Sequence, residues 1–278
     1  MTGQRAPTMR PTTAVPNTWR APPNPWVAFH TPREAPTVRL FCFPFAGGNA
    51  GAYRTWGTGL PESIEVLPVE LPGRGLRIQE TPLAEWPTLL SALAEGLEPL
   101  LTSPFAFFGY SMGAKIAYEL ARTLRRAGRP GPTHLFLSAG SAPHLPKRGP
   151  DKHHLPRPVF LEEIVKMGGT RPEVLADPDL VEMFLPCLRA DFKLMDQYTC
   201  VPEERLDCPF ICFRGSSDRT VPPEEVEPWR EHTRGGFRME TYHGEGHFFL
   251  EQRRQQIFDV LCAELLGAKA VGSEGEAA

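Results

Sequence analysis

The stretch FFGYSMGAKIAYELA, residues 107–121, sets one serine between two glycines at the end of an apolar run. A helical pattern follows at once: Ile116, Leu120 and Leu124 recur every four residues, flanked by Ala117 and Ala121, and Gly128 is a natural stop. Gly109-Tyr110-Ser111-Met112-Gly113 fits Gly-x-Ser-x-Gly. In a nucleophile elbow the serine occupies a strained strand-to-helix turn, and a larger side chain at either glycine collides with the neighbouring strand or helix. The five residues alone are a weak signal. The strand before them and the helix after them favour an elbow over a structural turn serine.

Outward from that point the chain alternates in the same way. Short apolar runs at 37–43, 64–70, 104–110, 133–139, 209–215 and 237–242 predict strands, and most are continuously apolar, as strands buried on both faces of a parallel sheet are. Helical patterns fall at 83–101, 112–127, 223–232 and 250–266. The alternation predicts right-handed βαβ crossovers and a doubly wound α/β sheet with helices on both faces. One segment breaks the rhythm. Between about 143 and 208 there is no convincing strand, only amphipathic helical patterns near 158–168 and 177–199, the signature of a helical lid inserted between two strands.

The ends read differently. Residues 1–36 hold eight prolines and predict an extended or disordered arm, with Trp19 and Trp26 able to dock locally. Residues 268–278 predict a flexible tail, leaving 37–267 as the folded domain. The net charge of −3 argues against nucleic acid as the main partner. No apolar run reaches the length of a membrane span, and Arg5 and Arg10 precede no apolar signal segment. Six cysteines without a CxxC pair predict reduced thiols in a cytoplasmic protein, with no zinc site.

An elbow serine needs a base and an orienting acid, in the chain order Ser, Asp or Glu, His. Of the eight histidines, only His243 and His247 follow the last strand. His247 directly precedes a helical pattern after a flexible Gly-Glu-Gly approach and is the favoured base; His243 reads as a loop residue. Asp218 stands on the loop after strand 209–215, at the carboxyl edge to which the elbow also points. Asp191, Asp196 and Asp207 are expected to face elsewhere. The oxyanion requires two backbone N–H donors, expected at Met112, directly after the serine, and at Ala46 in the loop FPFAGGNAG, residues 43–51. That loop lacks GxGxxG and a GK[ST] end, so a phosphate site is a weak reading.

Taken together, FPFAGGNAGAYRTW, LPGRGLR, FFGYSMGAKIAYELAR, LPCLRADFKLMDQY, RGSSDRTVP and GEGHFFL resemble the discrete type II thioesterases that accompany polyketide synthases and nonribosomal peptide synthetases. The similarity runs in order from about residue 37 to 265. It implies an α/β-hydrolase fold with a helical lid, a triad of Ser111, Asp218 and His247, and an oxyanion hole from the Ala46 and Met112 amides. It also implies hydrolysis of acyl thioesters on the phosphopantetheine arm of acyl or peptidyl carrier proteins, with no cofactor beyond that substrate arm. Two residues depart from the family pattern: Tyr110 where histidine is frequent, and Gly-Glu-Gly-His where Gly-Gly-His is common. The rival readings are an esterase or acyltransferase with the same triad, a cyclising thioesterase, and a silent carrier-binding module. Arg125, Arg126, Arg129, Lys147, Arg148 and Lys152 read either as a solvated face or as a surface that steers an acidic carrier.

Overall fold

A computed structural model describes residues 24–102, 104–169 and 176–267. Trp19 and the tail 268–278 lie outside the described residues. Six strands form one parallel sheet: β1 (Val38–Phe43), β2 (Ile64–Pro68), β3 (Phe105–Tyr110), β4 (Leu135–Ser138), β5 (Phe210–Gly215) and β6 (Phe237–Tyr242), in the spatial order β2-β1-β3-β4-β5-β6. Each lies within a run anticipated from sequence. The helices are α1 (Trp56–Gly59), α2 (Trp86–Leu97), α3 (Met112–Arg126), α4 (Arg157–Met167), α5 (Pro178–Asp196), α6 (Pro223–Val226) and α7 (Arg254–Leu266).

The continuous apolar runs have a direct physical cause. Successive strand residues point to opposite faces, and both faces are covered. Phe41, Phe43, Phe105 and Phe107 enter the core beneath α2 and α3, with Leu93 and Ile116. Leu40, Cys42, Ala106 and Phe108 enter the other core, with Trp56 of α1 and Ile257 and Phe258 of α7. Prolines trim the anticipated helices. Pro99 lies in the 3-10 turn that succeeds α2, and the pattern at 223–232 splits into α6 and a 3-10 turn containing Pro228.

The chain reverses direction across the sheet between β1 and β3, since β2 lies on the outer side of β1. Loops that leave the carboxyl ends of strands at such a switch point open a crevice. The 43–51 loop leaves β1 there, and Ser111 leaves β3 beside it. The insertion contributes α4 and α5, whose Phe160, Ile164, Leu185, Leu188 and Phe192 make a third cluster, packed against Ala46. The lid is therefore seated on the loop after β1.

The expectation of an extended arm through residue 36 is revised for residues 24–36. Val27 bridges Val69 in antiparallel fashion, Ala28 N–H donates to the Pro68 carbonyl (3.0 Å) and Glu70 N–H to the Trp26 carbonyl (2.9 Å). This segment covers the exposed edge of β2, which would otherwise present unpaired backbone groups. Trp26 is buried, under the Arg77 guanidinium 4.1 Å away, and Asn24 Nδ2 donates to the Gly96 carbonyl (2.7 Å). The docking of Trp26 was anticipated; the edge pairing was concealed by the prolines, because it needs only a few backbone groups. No helix of the described residues is long and apolar enough to cross a membrane.

Trp26→Ala removes the ring that clamps this edge, so urea unfolding is expected to show a loss of about 3 kcal/mol. A midpoint unchanged from the parent would mean that the segment is not part of the cooperative unit.

Candidate active site

Ser111 sits between β3 and α3 with φ +55° and ψ −111°, a conformation that costs a non-glycine residue energy and aims its side chain out of the turn. The flanking glycines are dictated by contact. A Cβ on Gly109 would lie 2.1 Å from the Gly113 carbonyl oxygen, and one on Gly113 would lie 2.2 Å from that of Phe43. Ser111 N–H donates to the Ser138 carbonyl of β4 (2.7 Å), which anchors the turn to the sheet.

His247 arrives on the loop between β6 and α7. Its Nδ1–H donates to Asp218 Oδ2 (2.7 Å), and its Nε2 lies 3.1 Å from Ser111 Oγ. An ionised carboxylate only accepts, so this geometry selects the tautomer with Nε2 free to accept from the serine hydroxyl. Asp218 is oriented in turn: its Oδ1 accepts from the Thr220 and Val221 amides (2.8 and 2.9 Å). The imidazole and the carboxylate are buried. His243 is exposed on the same loop. The three side chains singled out from sequence thus form one hydrogen-bonded line.

Ala46 and Met112 flank the serine, and neither N–H donates to a protein acceptor among the described residues. Above them lies a cavity of about 500 Å³, lined by Phe45, Ala46, Ser111, Leu188, His247 and Phe248 among others, with α4 and α5 of the lid as its far wall. One group of described residues has donor atoms spaced for a cation, Asp151, His153 and His154, within 4.8 Å of one another. None of them lines the cavity, and Lys147 and Asp196 already pair with Asp151 and His153.

Both departures from the expected loop pattern have partners. The Tyr110 hydroxyl donates to the His247 carbonyl and accepts from the Phe249 amide (3.0 Å), so it ties the histidine loop to β3. Glu245 pairs with Arg253 (2.8 Å) across the start of the helix that follows. The six basic residues considered for carrier steering are all paired within the chain: Arg125 and Arg126 with Glu203, Arg129 with Glu98, Lys147 with Asp151, Arg148 with Glu225 and Lys152 with Glu163. Arg125 and Arg126 also end α3, at the opposite end from Ser111.

Two buried charges near the site escaped sequence reasoning. Asp191 was expected to face elsewhere; instead its side chain is fully buried and reaches the 43–51 loop. Its register was the available signal, since it falls on the face of α5 that carries Leu188 and Phe192. Glu70 follows β2 fully buried, with Oε1 3.4 Å from the Ala50 amide and Oε2 without a partner. Burial pushes its carboxyl up to about 7.

The fold and site define the α/β-hydrolase class, and comparison with known proteins narrows it. The thioesterase domain model matches residues 38–265. Gramicidin S biosynthesis protein GrsT of Aneurinibacillus migulanus is 39% identical over 242 residues, covering 87% of this chain and 94% of that protein. Among solved structures, the RedJ thioesterase from the prodiginine pathway of Streptomyces coelicolor superimposes with a TM-score of 0.76 at 39% identity, over 84% of this chain and 90% of the other. The type II thioesterase BorB of the borrelidin cluster gives 0.78 at 35% identity, over 86% and 97%. The chain belongs to the thioesterase family.

Two outcomes follow from this geometry. Tyr110→Phe strands the His247 carbonyl and the Phe249 amide, so stability should fall by about 2 kcal/mol in urea unfolding. Thioester turnover should lose kcat while KM holds; an unchanged kcat would mean that the loop keeps its place without the hydroxyl. Glu70 holds its proton higher in the folded chain than its ordinary 4.5, so its contribution is present at low pH and lost as pH rises through about 7. Glu70→Gln should therefore raise Tm, with a gain that widens from about pH 5 to about pH 8. A constant gain would mean that Arg74 and Arg77 let the carboxylate ionise without cost.

Proposed function

We propose that this chain hydrolyses acyl thioesters from the phosphopantetheine arm of carrier proteins, as an editing thioesterase of a polyketide or nonribosomal peptide assembly line. The observation that carries the reading is the pair of hydrogen bonds made by His247, to Asp218 and to Ser111, in a chain of the thioesterase family. The solved relatives RedJ and BorB are described as a thioesterase of the prodiginine biosynthetic pathway and a type II thioesterase of the borrelidin biosynthetic cluster.

In the proposed reaction, Ser111 Oγ attacks the thioester carbonyl while His247 Nε2 takes its proton. Asp218 holds the imidazole tautomer and stabilises the imidazolium. Negative charge grows on the carbonyl oxygen, and the Ala46 and Met112 amides, neither of which donates to a protein acceptor among the described residues, are the donors assigned to receive it. Loss of one such donor typically costs about 3 kcal/mol of transition-state stabilisation. As the carbon–sulfur bond breaks, His247 Nε2 gives the proton to the departing sulfur, so the pantetheine leaves as a thiol and the imidazole is neutral again; a thiol, far more acidic than an alcohol, departs more readily than an alkoxide. Water activated by His247 then cleaves the acyl-serine and releases the free acid. The acyl chain occupies the cavity beneath α4 and α5. The sequence of steps uses side chains and water, and the phosphopantetheine belongs to the substrate. All six cysteines are free, in keeping with a reducing cytoplasm.

Mass spectrometry of acyl-loaded carrier protein tests this. Wild type should unload the arm, and Ser111→Ala should slow unloading by a factor of about 10⁶, as removal of a triad nucleophile does. Faster cleavage of a matched oxygen ester than of the thioester would favour an esterase, and unloading by Ser111→Ala at the wild-type rate would refute the assigned nucleophile.

A further inference from the structure

We infer that Asp191 of the lid and Arg74 of the loop after β2 are a positioning pair for the Ala46 amide; this rests on the reading of that amide as an oxyanion donor. Asp191 Oδ2 accepts from the Gly47 amide (2.7 Å) and from Arg74 Nη1 (2.6 Å), while Oδ1 accepts from Arg74 Nη2 (2.7 Å). Arg74 Nη1 also donates to the Gly48 carbonyl (3.2 Å). The pair therefore grips the loop after β1 by a donor and an acceptor at once. The turn is closed by Gly48 N–H donating to the Phe45 carbonyl (2.8 Å).

These contacts bear on Ala46 through peptide geometry. The Phe45 carbonyl and the Ala46 N–H belong to one planar trans peptide, so the bond from Gly48 directs the Ala46 N–H the opposite way. The next peptide, Ala46 to Gly47, is held by Asp191 at its N–H. With both planes fixed, the Ala46 amide has no rotation left. Gly47 adopts φ +75°, and a Cβ there would lie 2.6 Å from Leu188 Cδ1, one turn before Asp191 on α5. The loop and the lid helix are in direct contact at the residue the carboxylate holds.

Energetics separate positioning from simple bracing. Both side chains are almost wholly buried, at 4% and 0% exposure. Two buried charges lose their hydration, and apolar residues of similar volume often hold such a site equally well or better. An apolar pair, however, cannot accept the Gly47 N–H. What the ion pair adds over an apolar plug is orientation of this backbone. It also means that α5 is no free flap: opening the lid at Asp191 would carry the loop with it.

The test uses the full chain as wild type, Asp191→Asn, and the double variant Asp191→Leu with Arg74→Met. Readouts are Tm, kcat and KM on an acyl thioester, and Ki for a trifluoromethyl ketone, whose serine adduct bears an oxyanion. The double variant should recover Tm relative to Asp191→Asn. Its kcat should stay about 10- to 100-fold low, with KM little changed, the scale expected for a donor displaced rather than removed. Ki for the ketone should weaken by the same factor as kcat/KM. If the double variant does not fold, Asp191→Asn alone reads the same split between kcat and KM. Recovery of both Tm and kcat in the double variant would reduce the pair to a brace and overturn the proposal, as would a change in KM with an unaltered ketone Ki. A wild type inert toward both thioester and ketone would instead remove the reading of the site, and the pair's role with it.

Discussion

The hydrogen bond from His247 to Asp218 is the interaction on which the rest of the site depends. It spans two loops that leave neighbouring parallel strands, β5 and β6, and it selects the imidazole tautomer that can face Ser111. It exists because every strand runs the same way, so the loops after β1, β3, β5 and β6 all emerge along one edge. A parallel sheet must be covered on both faces. The two apolar cores therefore serve the site as much as the fold: they hold the strand ends from which its residues project.

Around that line stands a ring of groups that fix backbone rather than meet the reacting atoms. Tyr110 ties the histidine loop to β3, and Ser138 holds the elbow. Arg189 donates to the Leu155 carbonyl (2.9 Å) and lies over the Phe160 ring, joining the two lid helices. Such contacts explain how a lid insertion without strands of its own is registered against the sheet. Its apolar cluster supplies adhesion, and its few buried polar groups supply alignment.

Much of this was legible in the sequence because it rests on local pattern. Strands buried on both faces leave continuous apolar runs, and Gly109 and Gly113 report contacts so close that no side chain fits. Asp218 and His247 could be placed because each follows the end of a strand, and a parallel sheet brings such loops together. The antiparallel pairing of residues 26–28 with the edge of β2 was hidden, since prolines nearby mimic an unstructured arm. The reach of Asp191 to Gly47 was hidden for another reason. It joins residues 144 positions apart, and nothing local to either says that they meet. The partners of the basic residues were illegible in a third way, because a charge in the sequence does not disclose the carboxylate that pairs with it.

Every step of the proposed reaction requires that Ser111 be the residue that His247 activates. Intact-mass and peptide-level mass spectrometry after treatment with a fluorophosphonate measures this in a single experiment. One adduct on the peptide carrying Ser111, absent from His247→Ala over the same interval, is the expected result. A protein that cleaves thioesters while the adduct forms on another residue, or forms nowhere, would contradict it.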